Sequence, residues 1–148
     1  MTDGIAELGD STVRPGAALS LDPAALHVLL GLSGPGGYAV LVGSAAVGWE
    51  MLARKNPGVS LVAVNPPDTV ADAGQALSVL RAPLIPLKAR SVRGVVRGPE
   101  FAADPGWLRE AARVTLPGLR VVGQGRAPEL DSLELLATAE DWWVASKR

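Results

Sequence analysis

The sequence predicts a three-layer α/β domain on a mostly parallel sheet of seven short strands, closed by a C-terminal β-hairpin, and three observations carry that expectation. The stretch YAVLVGSAAVGWEMLARKNPGVSLVAVN, residues 38–65, reads as an apolar strand, a turn of small residues, a helix, an Asn-Pro-Gly break and a second apolar strand. That is the layout of a βαβ unit, and strands apolar on successive residues are those covered on both faces. From Leu133 the run LELLATAEDWWVASKR suits two strands joined at Glu140-Asp141.

The 148 residues, 48% of them hydrophobic, supply one core and are too few for two domains. Residues 1–20 carry scattered Gly, Asp, Ser and Pro without periodicity and read as an N-terminal arm, leaving 21–148 as the single α/β domain. Helix signals begin at Leu21-Asp22-Pro23, where Asp22 suits the cap, Pro23 the first helical position, and Leu21 a staple onto Leu26. Leu26, Leu29 and Leu30 share a face, and the segment from Gly31 to Gly37 ends the helix. His27 lies beside that face with no partner in sequence and reads as an ordinary surface or half-buried residue.

The first strand runs from Tyr38 to Gly43. A helix over 44–55 then points Val47, Met51 and Leu52 inward, and Asn56-Pro57-Gly58 stops it before the second strand, Val59 to Asn65. Reach decides the next segment. Were 68–81 one helix and 84–88 the third strand, about three residues would have to cross roughly three strand spacings of ~4.8 Å and retrace a strand, with a span of at most ~11 Å. The expectation is therefore a helical stub at Pro67–Ala73, an edge strand at Gln75–Arg81, and a helix-free connector from Ala82 to Ser91. The fourth strand is Val92 to Gly98. Asp104-Pro105 then opens a helix with Leu108, Ala111 and Ala112 inward and Arg109 and Arg113 outward. Leu116-Pro117-Gly118 turns into a fifth strand, Leu119 to Gly123. Pro128–Ala139 is open to a second reading, since Leu130, Leu133 and Ala137 also share a helical face.

Composition excludes several functions. With no cysteine and one histidine there is no disulfide, thiolate site, cysteine nucleophile or multi-histidine metal site. The formal net charge is −1, yet Lys and Arg number three against seven Asp and Glu across residues 1–80, nine against three across 81–126, and two against five across 127–148. The basic middle lacks interleaved aromatics, so nucleic acid is not an expected partner. MTDGIAELGD has no basic or apolar leader pattern, and the longest apolar stretch is far short of the ~20 residues that span a bilayer, so a soluble cytoplasmic protein without membrane contact is expected. Eleven arginines against three lysines point to a GC-rich bacterial genome.

The order of these elements, the small-residue turn at 43–48 and the phrase FAADPGWLREAARVTLPGLRVV at 101–122 together resemble the class I S-adenosylmethionine-dependent methyltransferases, over about residues 22–148. The resemblance implies a Rossmann-like methyltransferase fold, here compact and short of crossover helices. It also implies a cofactor site at the carboxyl ends of the strands, comprising Gly43, Ser44, Gly48, Asn65, Arg81 and Ala82 if a cofactor binds. In the family the first strand ends in an acidic residue and a GxGxG turn; with Gly48 as the last glycine, Ser44 and Ala46 replace the other two and Val42 stands at the acidic position. Asn65 stands where a carboxylate accepts both ribose hydroxyls, and Arg81, followed by Ala82, stands where an acidic residue lies near the adenine. Losing each acceptor costs on the order of 1–3 kcal/mol.

The expectation is thus a methyltransferase-like domain with a degenerate S-adenosylmethionine site, non-catalytic, with no resident cofactor, acting through assembly or a small ligand. The alternatives are an active methyltransferase with atypical contacts to S-adenosylmethionine, and an anion- or nucleotide-binding module. Glu100 and Asp104 are candidate bases, although Asp104 also suits a cap. Arg81, Lys88 and Arg97 are candidates for an anion-attracting mouth. No catalytic residue is assigned. A homodimer is expected, because too few helices remain to cover Leu119–Val122 and Trp142-Trp143.

Overall fold

The alternation of strand and helix follows the apolar pattern closely. A computed structural model describes residues 23–148 apart from Gln75, Ala103 and Glu140. Helix α1 spans Pro23–Leu30, β1 Tyr38–Val42, α2 Trp49–Lys55, β2 Ser60–Val64, β3 Leu77–Leu80, β4 Val92–Arg97, α3 Pro105–Val114, β5 Thr115–Gln124, β6 Leu133–Thr138 and β7 Trp142–Lys147. The seven strands form one sheet in the order β3-β2-β1-β4-β5-β7-β6. β7 pairs antiparallel with both β5 and β6, and the other pairs are parallel. The order reverses between β1 and β4, and in such sheets the carboxyl ends at the reversal form the ligand crevice. The proposed arm and the Leu21-Asp22 cap lie outside the described residues.

Successive strand residues serve opposite layers. Ala39 and Leu41 join Leu26, Leu30 and Leu52 on one side, whereas Val40 and Val42 join Ile85, Trp107, Ala111 and Trp143 on the other. The second side has only α3 as a helix, yet Val121 and Trp143 are fully buried there, while on the first side Val122 is fully buried and Trp142 half-buried. The expected exposed patch is therefore absent. Its cover comes from loops: the connector after β3 contributes Ile85 and Leu87, and the segment before β6 contributes Ala127 and Leu130. Glu110 ties the connector to α3, accepting from the Ile85 N–H at 3.1 Å, while Arg113 donates to the Ile85 carbonyl at 2.8 Å.

Three local expectations need correction. Residues Gly43–Gly48 wind as a 3-10 turn rather than the first turns of an α-helix, and the tighter winding turns Val47 outward, 57% exposed. No helical stub forms at 67–73. Instead Asp72 accepts from the Gly74 and Val79 amides at 2.9 and 3.2 Å, folding the segment as a turn. β5 begins four residues early, at Thr115, and Pro117-Gly118 bulges out where the register slips between the Val92–Thr115 and Gly94–Arg120 pairs. The hairpin forms as expected from Leu133, so the helical reading of 128–139 does not hold. His27 is half-buried and its ring shares a 3.1 Å hydrogen bond with Asn56 Oδ1.

Candidate functional site

Strands β1 and β4 are neighbours, with Val42 opposite Arg97, so the turn after β1 and the segment after β4 meet at the carboxyl rim. Gly43 enters the turn at φ 66°, and Ser44, Ala45 and Ala46 are buried behind it. Gly48 is half-buried at the junction with α2. Glu100 reaches back across this turn. Its carboxylate accepts from the Ser44 amide at 2.7 Å and from the Ser44 hydroxyl at 2.8 Å. Gly98 makes the approach possible, since a Cβ there would lie 2.5 Å from Glu100 Oε1 and 2.8 Å from the Val42 carbonyl. A Cβ on Gly43 would likewise stand 2.8 Å from Glu100 Oε1.

The turn after β1 thus holds one of the chain's own carboxylates. Asp104 is a cap, accepting from the Gly106 amide at 2.8 Å. Of the two candidate bases, only Glu100 is drawn into the rim. Sequence reasoning missed its contact with Ser44, which spans 56 positions; the available signal was that both residues follow neighbouring strands.

The rim beyond β2 is also self-paired. Asn65, at φ 51°, donates from Nδ2 to the Ala82 carbonyl at 2.7 Å and accepts at Oδ1 from the Ala82 amide at 3.0 Å. A carboxylate could accept from that amide but could not donate to the carbonyl, so this pairing requires Asn. Arg81 donates to the Pro66 carbonyl at 2.9 Å and lies 3.7 Å from Asp68 on the exposed surface. Asn65, Arg81 and Ala82 are therefore brought together, bound to each other and to their own loop. Gly43 and Ser44 form a separate cluster with Glu100.

The three cations proposed for one mouth do not share one. Arg81 follows the edge strand β3 and Arg97 ends β4, about three strand spacings or ~14 Å apart across the sheet. Lys88 is exposed in the connector leading to the opposite end of β4, its carbonyl accepting from the Ser91 hydroxyl. Arg97 is buried. Among the described residues there is no His, Asp or Glu cluster able to hold a metal, and no helix is long and apolar enough to cross a membrane.

The sheet order and the hairpin decide the architecture. The chain has the class I methyltransferase fold. A solved structure described as a predicted O-methyltransferase from Agrobacterium tumefaciens superposes with a TM-score of 0.59 at 13% identity, covering 84% of this chain and 80% of that one. A geranyl diphosphate methyltransferase solved with S-adenosylmethionine gives a TM-score of 0.55 at 17% identity, over 68% of this chain and 46% of that one. A [4+2]-cyclase, SpnF, gives 0.60 at 14% identity, over 87% and 66%. The chain spans half or less of the length of several such structures, among them the Haloferax volcanii methyltransferase solved with the Trm112 activator. No family model matches the sequence, and no curated protein does. Likeness at these identities concerns the fold, which carries more than one reaction.

Proposed function

We propose that this methyltransferase-fold domain has a cofactor site closed upon itself and that it acts without methyl transfer, through self-association or a small ligand. The observation that carries the reading is Asn65. At the position where the fold's relatives of sequence pattern would present a carboxylate to the ribose, its side chain is committed to both polar groups of the Ala82 backbone. The turn at Gly43-Ser44 repeats the theme, its amide and hydroxyl both donating to Glu100. A cofactor would have to displace these bonds and then find one acceptor where two ribose hydroxyls need pairing.

A second reading, an active methyltransferase with S-adenosylmethionine held by atypical contacts, is favoured by Glu100 itself. It delivers to the turn, from beyond β4, the carboxylate that β1 lacks at Val42. Calorimetry with S-adenosylhomocysteine separates the two. The unmodified chain is expected to bind no tighter than ~100 μM, and Asn65→Asp combined with Arg81→Asp at least tenfold tighter. Micromolar binding by the unmodified chain would favour the second reading.

Self-association is proposed through the sheet edge at β6, which exposes Leu135 and Leu136 to 45% and 48%. Light scattering at micromolar concentration is then expected to give about twice the chain mass. Leu135→Lys with Leu136→Lys should return it to one chain; a monomeric unmodified protein would remove the proposal.

A further inference from the structure

Arg97 ends β4 at the switch point of the sheet and is only 3% exposed. Its Nη2 donates to the Gln124 carbonyl at 3.2 Å, and its guanidinium stands 5.5 Å from the centre of the Trp143 ring. Its buried Nε has no hydrogen-bond partner among the described residues. The buried indole Nε1 of Trp143 has none either. No carboxylate among the described residues forms an ion pair with Arg97. The Asp104 carboxylate acts on it through space but serves as the cap of α3. Burial pushes the guanidinium below its usual pKa, outweighing the raising effect of Asp104. Buried charges are normally paired, and an undercompensated buried cation calls for an anion.

A place for that anion adjoins Arg97. Arg97 lines a cavity of about 290 Å³ whose walls include Ala102, Pro105, Leu108 and Ala127. Arg126, paired loosely with Glu129 at 3.9 Å, stands at its exposed rim. The volume lies at the small end of ligand sites, roughly 300–1,000 Å³. The single buried charge matches a monoanion better than a phosphate dianion, given Asp104 and Glu129 close by.

We propose that this cavity binds a small organic carboxylate with a compact apolar body, its oxygens accepting from Arg97 and its body lying against Leu108 and Ala127. The assignment stands whether or not the neighbouring turn binds a cofactor, and its test reads different residues.

The test is a titration of the full chain with sodium benzoate at ionic strength held constant with sodium chloride, following the Arg97 Nε–H and Trp143 Nε1–H resonances by NMR. Saturable shifts are expected at Arg97 directly and at Trp143 through the guanidinium beside its ring, with a Kd on the order of 1 mM. Inorganic phosphate should bind at least tenfold more weakly. Arg97→Met should abolish the response and raise the Tm of the ligand-free protein by about 3 °C, because an undercompensated buried charge is removed. If that variant does not fold, Arg97→Lys, which keeps the charge but lacks Nε, should weaken benzoate at least tenfold. The proposal is overturned if neither resonance shifts saturably by about 50 mM benzoate, if chloride or phosphate is as effective, or if a folded Arg97 variant still responds as the unmodified chain does.

Discussion

The two halves of the carboxyl rim solve the same problem in opposite ways. On the β1–β2–β3 side, polar groups are paired within the chain: Asn65 with Ala82, Arg81 with the Pro66 carbonyl, Ser44 with Glu100. On the β4–β5–β7 side, a buried guanidinium and a buried indole keep donors without partners among the described residues. A half whose hydrogen bonds are closed has little left to offer a ligand, because any new contact must first break an old one. A half with orphan donors pays a standing desolvation cost that a ligand would relieve. The β1–β2–β3 half of the rim is thus the quieter one.

The largest expected effect falls on the open half. Trp143 is fully buried against Gly123, where an added Cβ would lie 2.4–3.1 Å from the indole ring. Trp143→Ala should lower unfolding free energy by about 3–5 kcal/mol in a denaturant titration. A loss below about 1 kcal/mol would mean that Trp143 does not hold Arg97 in place. On the closed half, Asn65→Ala removes both bonds to Ala82 and should cost about 1–3 kcal/mol. Its amide shift changes should stay near residues 65–68 and 80–83; changes reaching Arg97 would show the halves to be coupled.

The smallest effect concerns the loop that covers the open half from the side. The Arg113 side chain, hydrogen-bonding Glu110 at 2.8 Å, holds the Glu110 carboxyl below its usual value of 4.5, helped by the Ile85 amide and opposed by burial. A carboxyl whose pKa is lower folded than unfolded stabilises above the unfolded value, and the contribution is lost as pH falls through the folded one. Glu110→Gln should therefore lower Tm slightly at pH 7, by the equivalent of about 0.2–1 kcal/mol, and flatten its decline below about pH 4.5. An unchanged acid slope would place the connector's anchoring elsewhere.

Much of the fold could be read from the sequence because its signals are local. Asp104-Pro105 fixes the start of α3, the apolar runs at 38–42 and 60–64 fix two central strands, and the reach argument removes a helix between β3 and β4. The cover of the second face could not be read, since Ile85, Leu87 and Leu130 sit in segments without periodicity and become core only through contact with α3 and β7. Val47 turned outward because a 3-10 turn and an α-helix place the same residue on different faces. Of the site, Gly43, Ser44, Asn65, Arg81 and Ala82 lie at the rim where strand ends predict them. What they touch depends on partners 15–56 positions away, beyond any local pattern.

The most direct test of the closed half is a residue-resolved NMR titration of the unmodified chain with S-adenosylhomocysteine. The account predicts no saturable shift at Gly43–Gly48, Asn65 or Ala82 at concentrations up to ~100 μM, the range in which an ordinary cofactor site would fill. Saturation of those amides at micromolar ligand would contradict it.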